Sequence, residues 1–284
     1  MRAFSADSHP GHKRGHNEDC YSANPEQQLW LVADGVGGHS NGEVASAIVR
    51  ETLDKDLAKG STLIDAIHHS HAEILKEIAS REGSNMGSTV VALHLKENEY
   101  EVAWVGDSRA YLFDGESLKQ ITRDHNPVSE MLARGAITIE QAANHPERNV
   151  LSQSLGVSDT IIVSPDRIRG EVHKGQQILL CSDGLTDELS DGEIEKILSA
   201  EKSPQDQVKA LIQGALDSGG RDNVTVVVVG DKIEQSDTSP RPARNRDTLS
   251  TEQAVSAPDG AGHDKMVWLL LGAMVALAIL WMLW

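Results

Sequence analysis

Cysteine is scarce in this 284-residue chain. There are two, Cys20 and Cys181, far apart and each in a strand-like context, so two buried thiols in a reducing compartment are expected. A disulfide between them is allowed by count alone, and nothing else favours it. Basic residues are also in short supply: 26 Lys and Arg face 43 Asp and Glu, a formal net charge of −17. Such a surface repels nucleic-acid phosphates and anionic headgroups, which sets aside a DNA- or RNA-binding role. Cys and His clusters of zinc spacing are missing. His9, His12 and His16 in "HPGHKRGH" have no fourth ligand beside them and read as a solvated loop. The first sixteen residues contain no apolar segment, so no secretory signal is expected.

What is present begins with one long charge-free run, "MVWLLLGAMVALAILWMLW", Met266–Trp284. As a helix rising about 1.5 Å per residue it would reach roughly 28 Å, close to the thickness of a bilayer's hydrocarbon core. Trp268 near one end and Trp281 and Trp284 at the other match interfacial aromatic belts. It has no polar face, unlike a buried amphipathic helix. A transmembrane tail anchor over 266–284 is therefore expected, with the bulk of the chain on the cytosolic side. Before it, Lys232–Lys265 is rich in Ser, Thr, Pro and charge and lacks aromatics and hydrophobic periodicity. That composition predicts a disordered tether spanning on the order of 30 Å r.m.s.. Residues 1–231 are left as one large domain.

Within that domain, "GEVASAIVRETLDKDLA" (42–58) and "TLIDAIHHSHAEILKEIAS" (62–80) carry helical apolar spacing. "STVVALHL", "EYEVAWVG" and "RAYLFDG" (88–115) read as consecutive antiparallel strands joined by short turns, and "QQILLCS" and "VTVVVVG" as two more buried strands. "DGEIEKILSA" and "SPQDQVKALIQGALDSG" are helices capped by Ser190 or Asp191 and by Ser203. Helices in pairs between runs of antiparallel strands predict packed sheets with helices outside, and not a doubly wound parallel sheet.

Carboxylates recur at strand ends. Asp34 closes the apolar run "LWLVAD", Asp107 follows "AWVG", Asp183 follows "ILLCS", Asp222 precedes "NVTVVVV", and Glu18 and Asp19 sit at the start of an early strand. A single strand-end Asp is commonly a turn former. Five or six converging on one sheet edge are different, because such like charges cannot all ionise without compensation. Divalent cations supply it, and oxygen ligands select Mg²⁺ or Mn²⁺ over zinc. Glycine at position 35 would let a backbone carbonyl turn toward a metal at little steric cost. Two acid-held metals suit phosphate-ester hydrolysis. Arg14, five residues before Asp19, has the fork geometry that grips a phosphoryl group.

Seven segments in order, "RGHNED" (14–19), "VADGVGGH" (32–39), "GSTVV" (87–91), "WVGDSRAYL" (104–112), "TRDHNPV" (122–128), "LLCSDGLTDEL" (179–189) and "RDNVTVVVV" (221–229), resemble the metal-dependent serine/threonine protein phosphatases of type 2C in their bacterial form. The resemblance implies an α+β fold, a four-layer αββα sandwich of two antiparallel sheets flanked by helices. It implies two Mn²⁺ or Mg²⁺ ions. Asp34 would bridge them, the Gly35 carbonyl would join the first, and Asp183 and Asp222 would complete the second. Glu18 and Asp19 would act through water, Asp107 with Asp183 would form a third, weaker site, and Arg14 would clamp the phosphate. Asn223 is expected to orient the loop of Asp222. The implied reaction is in-line attack by a metal-activated water, without a phosphoenzyme. Eukaryotic relatives carry a histidine after the "DG" where this chain has Val36. His39 is a candidate proton donor in its place, with a helix-capping or helix-lining role as the alternative. The segment His125–Gly156 corresponds to the family's variable flap. The implied partners are phosphoproteins made by a Hanks-type serine/threonine kinase, and the implied location is the cytoplasmic face of the inner membrane, as a monomer. A catalytically silent module on the same fold and a hydrolase of small phosphoesters are the alternatives.

Overall fold

The computed structural model describes residues 2–37, 41–81, 85–157 and 162–231, all within one unit, Met1–Asp237. The 232–265 tether, the 266–284 anchor and His39 lie outside the described residues. Among the described residues no helix is long and apolar enough to cross a membrane.

In chain order the elements are β1 (Phe4–His9), β2 (Asp19–Asn24), β3 (Leu29–Gly37), α1 (Asn41–Leu57), α2 (Leu63–Ser80), β4 (Met86–Ser88), β5 (Val90–Lys96), β6 (Glu99–Val105), β7 (Arg109–Phe113) and β8 (Leu118–Gln120). There follow α3 (Pro127–Ala133), α4 (Ile139–Ala143), β9 (Asp166–Glu171), β10 (Gln177–Cys181), α5 (Asp183–Thr186), α6 (Asp191–Ala200), α7 (Pro204–Ser218) and β11 (Val224–Val229). One sheet runs β1-β11-β10-β7-β8; the other runs β2-β3-β5-β6-β9, with β4 added to β3. Every pairing is antiparallel.

The central strands are apolar at nearly every position because both of their faces are covered. In β3, Leu29, Leu31 and Ala33 pack toward α1 and α2, while Trp30 and Val32 face the other sheet. In β11, Val224, Val226 and Val228 pack toward α6 and α7, while Val227 and Val229 meet Trp30 and its neighbours between the sheets. Two-residue periodicity thus divides each strand between an inter-sheet core and a helix-facing core, and the result is a four-layer αββα sandwich. The helices start where their caps permit: Thr62 accepts the Asp65 N–H, Ser203 accepts the Asp206 N–H, and Glu193 reaches back to the Ser190 N–H at 2.8 Å.

The structure departs from the sequence reading in several places. The three strands read as a consecutive meander are split between sheets. β5 and β6 pair, but β7 leaves them at Gly106, whose φ is +107°, and pairs with β10 and β8. The predicted strand 88–95 is broken at Thr89 into β4 and β5. The polar N-terminal stretch contributes β1, which the sequence pattern does not mark because only Phe4 and Ala6 face the inter-sheet core. Cys181 is buried and Cys20 only partly so; both thiols are free and they lie in different sheets.

Candidate active site

The two sheets bring their acidic strand ends to one edge. Asp34 does not close its strand as expected, because β3 runs on through Gly35–Gly37 to pair with β4; within β3 it stands directly opposite Asp19 at the start of β2 in the antiparallel register, which places both side chains on one face. Asp107 sits in the β6–β7 crossover, Asp183 opens α5 after β10, and Asp222 precedes β11. Arg14, Glu18, Asp34, Gly35, Asp107, Asp183, Asp222 and Asn223 line one cleft of about 200 Å³, joined by Asn149 and Leu151 from the segment after α4. Asp19 lies beneath it. The sequence-predicted set among the described residues is therefore gathered at one place.

Asp19 also bolts the sheets together. Its Oδ2 accepts hydrogen bonds from Ser182, directly after β10, and from Thr225 on β11, both 2.7 Å away and both from the opposite sheet's side. Thr225 Oγ1 lies 2.7 Å from Ser8, so the network runs on to β1. Asp34 is held from its backbone: its N–H donates to Thr89 Oγ1 at 3.1 Å, and its carbonyl accepts the Thr89 N–H at 2.8 Å. Sequence alone does not single out these hydroxyls. Thr89 lies within "GSTVV" and Ser182 directly before Asp183, so adjacency to the acidic positions is the one available signal.

Asn223 has a further task beside the one expected. The Asp222 loop is secured by its own backbone, the Asn223 N–H donating to Asp222 Oδ1 at 2.8 Å. The Asn223 side chain instead clamps the N-terminal loop, accepting the Glu18 N–H at 2.8 Å and donating to the carbonyls of Pro10 and His16 at 2.9 Å each. Arg14 lies between those carbonyls in sequence. Its guanidinium donates to Asp222 Oδ2 at 2.6 Å, and half of its side chain is exposed at the rim.

Gly35 is also required by close packing. Its φ is not positive. The N-terminus of α1 crosses so close that a Cβ at position 35 would lie 2.0 Å from the Gly42 carbonyl oxygen and 2.6 Å from that of Glu18. A Cβ on Gly42 would in turn lie 2.6 Å from Glu18 Oε1. The two glycines let strand and helix touch backbone to backbone beneath the acid cluster.

The electrostatics are unfavourable as they stand. Burial pushes Asp107 up to about 8, with Asp183 and Asp124 adding repulsion. Burial pushes Asp19 up to about 7, against the opposing hydrogen bonds from Thr225 and Ser182. Asp183 rises to about 6 through burial and the charges of Asp222 and Asp187. Asp34 is driven well above the usual carboxylate range by burial and then by Asp19, Asp183 and Asp107. Glu18 Oε1, Asp19 Oδ1 and Asp183 Oδ1 are buried with no hydrogen-bond partner. Orphaned anionic oxygens facing one another fit hard divalent cations, which satisfy lone pairs and offset charge together. Among the described residues no three Asp, Glu, His or Cys side chains form a finished ligand set. Backbone and water oxygens would have to complete the shell, as hard cations commonly allow.

Two stacked antiparallel sheets with such a cleft at their edge, and a guanidinium at its rim, define a metal-assisted phosphoester hydrolase. A family profile for protein phosphatase 2C matches residues 1–131. The serine/threonine phosphatase stp of Listeria innocua is 34% identical over 239 residues, covering 79% of this chain and 94% of its own. The crystal structure of the Mycobacterium tuberculosis serine/threonine phosphatase PstP/Ppp superposes with a TM-score of 0.73 at 36% identity, over 82% of this chain and 99% of that one. A structure of the PstP catalytic domain in complex with two manganese ions aligns with a TM-score of 0.72 at 33% identity, over 81% and 99%. The chain belongs to the protein phosphatase 2C family and is a serine/threonine protein phosphatase.

Proposed function

We propose that this chain is a Mn²⁺- or Mg²⁺-dependent phosphatase that removes phosphate from phosphoserine and phosphothreonine in proteins at the cytoplasmic face of a membrane. The observation that carries the chemistry is the convergence of buried, partly orphaned carboxylates beneath Arg14. Asp34, Asp183, Asp222 and the Gly35 carbonyl would hold two ions, Glu18 and Asp19 would support them through water, and Asp107 with Asp183 would offer a third place. When bound, the ions offset the carboxylates, lower the pKa of a water and stabilise charge on phosphoryl oxygens.

The chain's own residues do the remaining work. Arg14 binds the phosphoryl group by turning from Asp222 to its equatorial oxygens, a fork that matches their spacing. Thr89 holds the backbone of Asp34, and Ser182 and Thr225 hold Asp19, so the carboxylates need not reorganise as charge develops. Asn223 sets the height of the Arg14 loop over them. The cleft side chains are preorganised on strand ends, which suits direct attack on phosphorus in line with the leaving alkoxide.

Residues 1–231 form the catalytic domain in this reading, 232–265 the tether and 266–284 the tail anchor; the charge-free run with its flanking tryptophans supports the anchor. A Hanks-type kinase would supply the substrates, and the chain would work as a monomer. Metal-dependent hydrolysis of a phosphothreonine peptide, abolished by Asp34→Asn with cooperative unfolding retained, tests the chemistry; turnover that survives both this change and a chelator refutes it. Deletion of 266–284 should release the protein from membranes, and persistent sedimentation with them sinks the anchor.

A further inference from the structure

Beside the acid cleft lies a second cavity, of about 340 Å³, that the reaction chemistry does not use. The two share Val36, Asn149 and Leu151 as a common wall. Val36, Leu151, Val157 and Val163 supply aliphatic surface beside the polar side chains of Asn149 and the 152–154 segment, and none of the described lining residues is charged. We propose that this cavity is a substrate subsite, receiving an apolar side chain close to the phosphorylated residue of a protein substrate. The proposal rests on the phosphatase reading and deepens it.

Three observations carry it. Val36 follows the Asp34-Gly35 pair, lines both spaces and is 38% exposed, while Val157 across from it is 54% exposed. The six large hydrophobic side chains left exposed among the described residues are Val36, Leu132, Ile139, Val150, Val157 and Ile162. Apart from Val36 at the rim, all fall between β8 and β9. Of these, Val36 and Val157 line this cavity, and exposed apolar surface on a wall shared with a charged cleft marks a binding surface.

The wall is also built in advance. The Ser88 N–H donates to the Leu155 carbonyl at 3.1 Å and the Leu155 N–H to the Ser88 carbonyl at 2.8 Å, pinning the segment to β4. The Ser152 N–H donates to the His125 carbonyl at 2.8 Å, and the Gly156 N–H to His71 Nδ1 on α2 at 3.0 Å. Gly87 completes the contact: a Cβ there would lie 3.3 Å from a methyl of Val36 and 3.3 Å from one of Val157. Glycine lets the two valines approach each other across β4.

Continuity selects the occupant. A peptide whose phosphoryl group sits between Arg14 and Asp34 can lay a neighbouring residue over Val36, which lines both spaces. An aliphatic side chain there is dehydrated against four aliphatic side chains, whereas a charged one would be desolvated with no opposite charge among the described lining residues.

The test uses the full chain with Mn²⁺ and phosphothreonine peptides of alanine background, with a single leucine walked from position −3 to +3. One position should raise kcat/KM about 10-fold over alanine, the size expected when a pocket gains a few methylenes. Aspartate at that position should fall below alanine. Val157→Ser and Val163→Ser should each pull the leucine-to-alanine ratio toward one. A leucine walk that never exceeds about 2-fold, or a ratio that both variants leave intact, overturns the subsite. Metal-dependent turnover of an aryl phosphate by the unaltered protein separates the outcomes. Its absence removes the phosphatase reading, while its presence with a flat leucine walk removes the subsite alone.

Discussion

Replacing Asn223 with alanine should damage stability and activity together. The side chain is 4% exposed and makes three hydrogen bonds, to the Glu18 N–H and to the carbonyls of Pro10 and His16. A typical buried hydrogen bond contributes about 1 kcal/mol net, and an orphaned buried donor costs about 1–3 kcal/mol. Pro10 and His16 are exposed residues whose carbonyls can recover water, whereas the Glu18 N–H is partly enclosed. A loss of about 3 kcal/mol is therefore expected, measured by urea unfolding with linear extrapolation. Because the freed loop carries Arg14, KM for an aryl phosphate should rise along with any fall in kcat. Asn223→Asp separates the contributions. It keeps an acceptor for the Glu18 N–H but faces two carbonyls with a carboxylate, so it should be no milder than alanine for the loop. A loss below about 0.5 kcal/mol with an unchanged KM would refute the clamp, since even one net hydrogen bond exceeds it.

The acid cluster predicts an inverted pH dependence for the metal-free protein. Asp183, Asp19 and Asp107 titrate near 6, 7 and 8 when folded, against 3.8 for a free aspartate. The folded state therefore holds protons that the unfolded chain releases, and stability is lost as pH rises through that window. The Tm without metal should fall between about pH 5 and pH 8, and Mn²⁺ should raise it more at pH 8 than at pH 6, where protons compete; a flat or rising Tm contradicts this. Gln177 and Gln207, both fully buried, exchange amide hydrogen bonds at 2.9 Å and also cap the carbonyls of Gly230 and Leu198. Either residue changed to leucine should cost about 2 kcal/mol, and the double change less than the sum, in a denaturation cycle; strict additivity would show that they do not act as a pair. Arg14→Ala should chiefly raise KM, because it removes phosphate binding shared by ground and transition states; an unchanged KM in a steady-state assay counts against the clamp.

Much of the fold is legible in the amino-acid order because the relevant signals are local. The apolar runs Leu29–Ala33 in β3, Ile178–Cys181 in β10 and Val226–Val229 in β11 announce strands buried on both faces, and a carboxylate beside such a run is conspicuous for the desolvation it faces. Helix caps at Ser190 and Ser203 are readable from residue type. β1 is not, since its burial comes from pairing with β11 more than 200 residues away. The transfer of β7 between sheets is not either: a short turn reads as a hairpin unless the conformation of Gly106 is known.

By itself, then, the sequence determined the layered α+β class, the identity of the acidic residues and Arg14, and the oxygen-ligand chemistry that follows from them. Only the tertiary structure decided how those residues are held. It set Asp19 opposite Asp34 and made Asp19 the bolt between sheets, and it sent the Asn223 side chain to the loop of Arg14 while the Asn223 N–H holds Asp222. It added close backbone contact with α1 as a reason for glycine at position 35, and it brought Val36 beside Val157 across β4. The physical reason is the same throughout. Residue type and short-range period report what a side chain can do, while desolvation, cross-sheet hydrogen bonds and close approach arise only when segments distant in sequence meet.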